Sequence, residues 1–323
     1  MTRKALTALI DRTADAPLTS HGFGRKRAAM TTHHETHTAP PFGPAMMLNA
    51  VAPSRGWNPE DGFPDLSLIW RGYQISPAAL ATLQRAAGRD DVETADRLML
   101  LAPHVTGFRL TMALLMHRDW PLPIWRALQL RNRLIRTGDI KLGAPSDLIV
   151  RATGWRVRDK GIELDVLALL MQGDDCPWQS VTTFYYRGSF QGPAQHGADD
   201  GTPMASPPID PSAAAPVQWS VDGRHRLRWA ALTGDYNPLH LVDIYARATG
   251  FAAASAHPQR VAAQCLGHLR TSDAVPTQID LWLKGPVYFG RTASLRETTS
   301  DDGITFGLWI DGDDRPAMVG VMR

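Results

Sequence analysis

The stretch Ala230–His257 reads AALTGDYNPLHLVDIYARATGFAAASAH. Gly234-Asp235-Tyr236-Asn237-Pro238 forms a turn cluster, since Gly, Asp, Asn and Pro each favour a tight reversal. Asp235 and His240 flank it, five residues apart. Asp243 is placed to cap a short helix, Ile244–Thr249, which Gly250 ends. Small residues then lead to His257-Pro258, and Pro258 suits the first turn of a following helix. A carboxylate and an imidazole close together on an irregular loop form a candidate acid/base pair. The same groups have quieter uses: Asp235 can cap a turn and His240 can satisfy a buried carbonyl.

The chain after this loop indicates the fold. Gln259–Leu269 predicts a helix with Val261, Ala262, Cys265, Leu266 and Leu269 at helical spacing. Its surface is apolar nearly all round, so it needs protein on nearly all sides. Strand-like runs follow at Ile279–Phe289, Ala293–Thr299, Ile304–Ile310 and Ala317–Met322. Asp301-Asp302-Gly303 and Asp311-Gly312-Asp313 supply hairpin turns. The same order occurs upstream. Val105–His117 predicts an apolar helix, followed by strands at Leu128–Ile135, Leu148–Val157, Ile162–Leu170 and Trp178–Tyr186. Asp159-Lys160-Gly161 and Gly173-Asp174-Asp175 are the turns. A helix followed by an antiparallel meander, seen twice, predicts an internal duplication. The expected class is α+β, with each sheet wrapped around a buried helix.

Residues 188–216 are dominated by Gly, Pro, Ser and Ala. Such a segment buries too little apolar surface to offset its ordering entropy. It reads as a linker between an N-terminal repeat, 46–187, and a C-terminal repeat, 217–323. Residues 1–45 show no sustained period and read as a disordered tail. Thr31–His37, TTHHETH, offers metal-ligating side chains, but zinc motifs need an ordered scaffold, so it reads as solvated tail.

Composition narrows the function. The chain has 323 residues, 44% of them apolar, and a formal net charge of +2. That suits a core-forming protein and lacks the basic excess of a nucleic-acid binder, so no nucleic-acid partner is expected. Two cysteines, Cys176 and Cys265, are too few for a disulfide scaffold. No uninterrupted apolar run approaches the ~18 residues of a spanning helix, so no membrane insertion is expected. The first residues lack the apolar stretch of a secretory signal, and a cytoplasmic location is expected. There is no GxGxxG, P-loop or HExxH, so neither cofactor nor metal is implied.

The stretch Thr233-Gly234-Asp235-Tyr236-Asn237-Pro238-Leu239-His240, with Asp243, Gly250-Phe251 and Ala256-His257, resembles the hydratase-2 signature of the MaoC-like family. That family comprises R-specific enoyl-CoA hydratases and 3-hydroxyacyl-thioester dehydratases. The resemblance implies a hot-dog fold, a long helix wrapped by an antiparallel sheet, here doubled. It covers the C-terminal repeat well. The N-terminal repeat has no Asp-x4-His of its own and resembles the degenerate partner of double-hot-dog members. The implied activity is reversible hydration of 2-enoyl thioesters, or dehydration of 3-hydroxyacyl thioesters, carried by CoA or acyl carrier protein. By resemblance Asp235 and His240 form the catalytic dyad, and Asn237, His257 and Gln259 contribute to substrate binding. Asn237 and Pro238 would aim the dyad. A double hot dog is already a pseudo-dimer, and further pairing into a homodimer is compatible with it.

Two positions depart from the pattern. The family's oxyanion donor is the backbone N–H of a Gly after the second His; here that residue is Pro258, which has no N–H. The N–H of Gln259 or His257 at the helix start is the expected substitute. Leu266 stands about where some members carry a Ser. The alternatives are a hot-dog acyl-thioesterase using Asp235, or a non-catalytic acyl-thioester binder. Arg131, Arg133 and Arg136 read as solvent-facing strand residues, with CoA or phosphopantetheine phosphates as the alternative. Cys265 reads as buried and inert, and His104 and His117 as structural.

Overall fold

The computed structural model describes residues 33–41, 54–89, 91–192, 195–197, 205–210, 212, 216–270 and 275–323. The N-terminal repeat contains β2 (Leu66–Tyr73), α1 (Pro77–Ala87), α2 (Val92–Thr106), α3 (Phe108–Leu115), β3 (Ala127–Arg136), β4 (Ser146–Arg158), β5 (Gly161–Gln172) and β6 (Asp175–Arg187). The C-terminal repeat contains β8 (Val217–Ser220), α4 (Arg226–Thr233), α5 (Asp243–Ala248), α6 (Pro258–His268), β9 (Gln278–Leu283), β10 (Thr292–Ser300), β11 (Gly303–Ile310) and β12 (Met318–Met322). Two further strands, β1 (His33–His37) and β7 (Gln195–Gly197), lie outside both predicted repeats.

The path through the sheet is β1-β2-β4-β5-β6-β3-β9-β12-β11-β10-β8, with β7 on β4. The order β2-β4-β5-β6-β3 in one half repeats as β8-β10-β11-β12-β9 in the other. The two orders meet head to head at β3 and β9, which pair antiparallel with Leu134 opposite Ile279. Residues at alternate positions on a strand face opposite sides. On β5, Ile162, Leu164, Val166, Ala168 and Leu170 join the core, while Glu163 and Asp165 face the other side. One continuous core runs through both halves and includes α2, α3 and α6.

The N-terminal helix begins earlier than its apolar run predicts. Asp91 caps α2 by accepting the Thr94 N–H, and the helix reaches Thr106. Arg97, a residue that interrupts the apolar pattern, is buried and donates to the carbonyls of Leu269 and Arg270 at the end of α6. Gly107 separates α2 from α3. A Cβ there would sit 2.4 Å from Leu148 Cδ2, so the missing side chain lets β4 approach the helix. The span Val92–Leu115 is long and apolar enough to cross a membrane, but its most apolar 18-residue stretch is 89% buried inside the fold.

Several expectations are corrected. Residues 33–37, expected in the disordered tail, form β1, which pairs parallel with β2. Glu35 on this strand meets His117 at 3.0 Å, a long-range contact that no local pattern signals. Most of the rest of the tail lies outside the described residues. The linker is also partly ordered: β7 adds to β4, and Ile209 packs on Trp282, Val319 and Val321. β9 ends at Leu283, short of the predicted Phe289, where Gly285-Pro286 interrupts the run. Arg131 and Arg133 are not solvent-facing. Arg131 is buried against Glu163 at 3.0 Å, and Arg133 pairs with Asp280 across the β3–β9 seam at 2.7 Å. Arg136 pairs with exposed Asp139.

Candidate active site

The loop between β8 and α6 is built by a chain of local hydrogen bonds. α4 ends at Gly234 with φ 77°, the left-handed conformation that terminates helices. A Cβ there would also lie 2.3 Å from Arg109 Cγ of α3. Thr233 Oγ1 accepts the Asp235 N–H, and Asp235 Oδ1 accepts the Asn237 N–H at 2.9 Å. Asn237 Oδ1 accepts the Leu239 N–H and so caps the short 3-10 turn Pro238–His240. Each polar residue orients the next, so the turn presents Asp235 and His240 together. Asp243 does not cap its helix as expected. It is the first helical residue, and its Oδ1 accepts the Ala254 N–H, tying the loop to the segment that leads into α6.

Three side chains converge. His240 Nε2 lies 3.9 Å and His257 Nε2 3.2 Å from Asp235 Oδ2. The two imidazole rings are 4.9 Å apart. Asp235 and His257 are buried, and His240 is nearly so. They line a narrow cleft with Arg226, Trp229, Ala230, Leu241, Arg260 and Phe289. Its free volume, about 10 Å³, is on the order of what one water needs.

The hydrogen bonds assign the proton positions. His240 Nδ1 faces the Ser255 carbonyl at 3.0 Å, so Nδ1 carries the proton and Nε2 is a bare acceptor. His257 Nδ1 accepts the Gln259 N–H at 3.2 Å, so the proton of His257 is on Nε2. The two histidines therefore hold opposite tautomers around one carboxylate. His257 offers its N–H toward Asp235, though not squarely enough to count as an aligned hydrogen bond. Burial and the neighbouring His257 bring His240 down to about 4, against the pull of Asp235 and Ser255. Burial pushes Asp235 up, but His257, His240 and the Asn237 N–H outweigh it and hold the carboxyl below its ordinary value. Near neutral pH the site thus holds a carboxylate and a neutral His240 base.

No family model matches the chain. It is 25% identical over 284 residues to 3-hydroxyacyl-thioester dehydratase X of Mycobacterium tuberculosis, covering 88% of this chain and 98% of that protein. The crystal structure of HtdX from the same organism superimposes with a TM-score of 0.63 at 23% identity, covering 80% of this chain and 99% of that one. A MaoC-like dehydratase from Phytophthora capsici superimposes with a TM-score of 0.66 at 14% identity, covering 83% and 98%. The chain has the double hot-dog fold seen in these dehydratases.

Against the MaoC-like pattern the helix start differs as the sequence indicated, with one correction. The Gln259 N–H, expected to replace the donor missing at Pro258, is already taken by His257 Nδ1. The Gln259 side chain turns to the other repeat, where its Nε2 meets His104 Nε2 at 2.8 Å. Burial, and secondarily His257, lower His104 to about 3, so it accepts that bond as a neutral ring. Asn237 serves the turn through its own bonds and does not line the cleft. Leu266 is fully buried in the core. Cys265 is buried too, and burial pushes its thiol up, away from nucleophilic use.

Asp235, His240 and His257 offer ligand atoms within 4.8 Å of one another, a two-histidine, one-carboxylate set. Ligation would need a lone pair on His257 Nε2. The Gln259 N–H on Nδ1 places a proton there instead, so the bonds of the site favour a donor over a ligand. Sequence reasoning missed the wall residues Arg226, Trp229, Arg260 and Phe289. Only Arg260 carried a local signal, being one helical turn after His257.

Proposed function

We propose that the protein catalyses reversible hydration of 2-enoyl thioesters, equivalently dehydration of 3-hydroxyacyl thioesters, on CoA or a carrier protein. The observation that carries this reading is the convergence of Asp235 Oδ2 and His240 Nε2 on a water-sized cleft, with tautomers that leave His240 Nε2 free to accept. The curated relative named for this activity supports the same reading.

The residues suit the chemistry. Asp235 accepts one O–H of the water and orients it. As the water oxygen bonds to C3, its other proton passes to His240 Nε2, and the C2=C3 electron pair shifts toward the thioester oxygen. The imidazolium, beside an ionised Asp235, then returns that proton to C2, and the charge leaves the oxygen. Water has been added and the site is restored.

The test is a panel of enoyl-CoA chain lengths and an enoyl-carrier protein. Loss of enoyl absorbance without release of free thiol is expected for at least one. Thiol release without hydration means a thioesterase, and no turnover with binding retained means a binder; either removes this reading. The pH profile adds a sign. His240 must be neutral to act, and its pKa lies near 4. Activity should therefore persist below pH 6 and fall only as pH approaches that value, whereas an ordinary histidine would fail near its unperturbed ~6.5.

A further inference from the structure

In the enolate-like transition state the thioester oxygen gains negative charge and needs a donor. At the start of α6 Pro258 has no N–H and the Gln259 N–H is bound to His257, so of the expected backbone substitutes only the His257 N–H is left. The same cleft wall contains Arg260. This side chain is about nine-tenths buried, and its Nη1 has no hydrogen-bond partner. Its Nη2 has a long contact, 3.4 Å, with half-exposed Asp222, and its guanidinium lies 6.0 Å from the Phe289 ring centroid. Burial of an incompletely paired guanidinium is costly. Burial also lowers its pKa, partly offset by Asp222, but a guanidinium stays charged in proteins. A retained, unsatisfied cationic donor in the wall of a reaction cleft points to a ligand that satisfies it.

Resting on the hydratase reading above, we propose that Arg260 is a catalytic residue whose Nη1–H binds the thioester oxygen of the substrate, replacing the backbone donor that Pro258 removes. No proton leaves Arg260. The N–H bond to the oxygen strengthens as the C3–O bond forms and the electron pair reaches the oxygen. It relaxes when C2 takes its proton from His240.

The test uses the full chain and whichever enoyl-CoA the wild type hydrates. Arg260→Gln should lower kcat by ~10²–10³-fold, the usual effect of losing one oxyanion donor, with KM changed by less than about threefold. Arg260→Lys, which keeps charge but not the planar fork, should lose less. Added methylguanidinium should restore part of the rate to Arg260→Ala. Asp222→Asn, which removes only the outer partner, should stay within about threefold of wild type. If Arg260→Gln does not fold, Arg260→Lys and the rescue of Arg260→Ala decide. The assignment is overturned by a folded Arg260→Gln with near-wild-type kcat, or by a loss confined to KM. A wild type that hydrates no chain length removes the hydratase reading and this assignment with it.

Discussion

The two halves share one strand order but differ in how they use it. The N-terminal half has long strands, β4 to β6, packed on the helices α2 and α3. The C-terminal half has shorter strands and an 11-residue helix. The connection before the central helix separates them functionally. In the first half it spans 74–91 and holds α1, whose start is capped by Ser76. In the second it spans 221–257 and holds α4, the Asp235–His240 turn and α5. The strand order occurs twice, and only the second copy has the elaborated connection that holds the proposed site. The first half still serves the site, since His104 holds Gln259 and the Phe108 ring lies 5.5 Å from that of His257.

This contrast can be broken at three places. The largest effect is expected at the turn: Asp235→Asn and His240→Ala should each lower kcat by ~10²–10⁴-fold with unchanged circular dichroism and melting temperature. Rates near wild type in either variant remove the division of labour between the halves. Next is the seam. Asp280 is 2% exposed and accepts Arg133, Gln278 and Arg323. Asp280→Ala removes the buried carboxylate that Arg133, Gln278 and Arg323 share at the junction and should cost ~3–5 kcal/mol in denaturant unfolding. One cooperative transition should remain, and a split into two would show that the halves fold separately. The smallest is at the helix break. Gly107→Ala forces a Cβ onto Leu148 and should cost ~1–3 kcal/mol of stability with little change in turnover per folded molecule.

Much of the frame was legible because strands β3 to β6 and β10 to β12 are bounded by Gly- and Asp-containing turns and carry enough apolar residues to show their period. β1 was not, because HHETH has no apolar alternation and its pairing comes from β2. The first turns of α2 were hidden by Glu93, Asp96 and Arg97, the last of which is polar because it closes the end of α6. At the site, Asp235 and His240 lie in one short motif, where spacing makes them a candidate pair and the resemblance to the hydratase-2 signature marks them as a dyad. His104 meets Gln259 across 155 residues of chain, a contact with no local trace. The expected backbone donor at Gln259 failed for a specific reason, since the capping geometry of His257 uses that N–H.

In the proposed reaction the Asp235–His240 pair adds one water to an enoyl thioester. It is tested most directly by running the reaction in water enriched in oxygen-18 and analysing the products by mass spectrometry. Label is expected on C3 of an intact 3-hydroxyacyl thioester with the wild type, and that product should be lost with Asp235→Asn. Label in a released carboxylate, or undiminished labelling by Asp235→Asn, would contradict it.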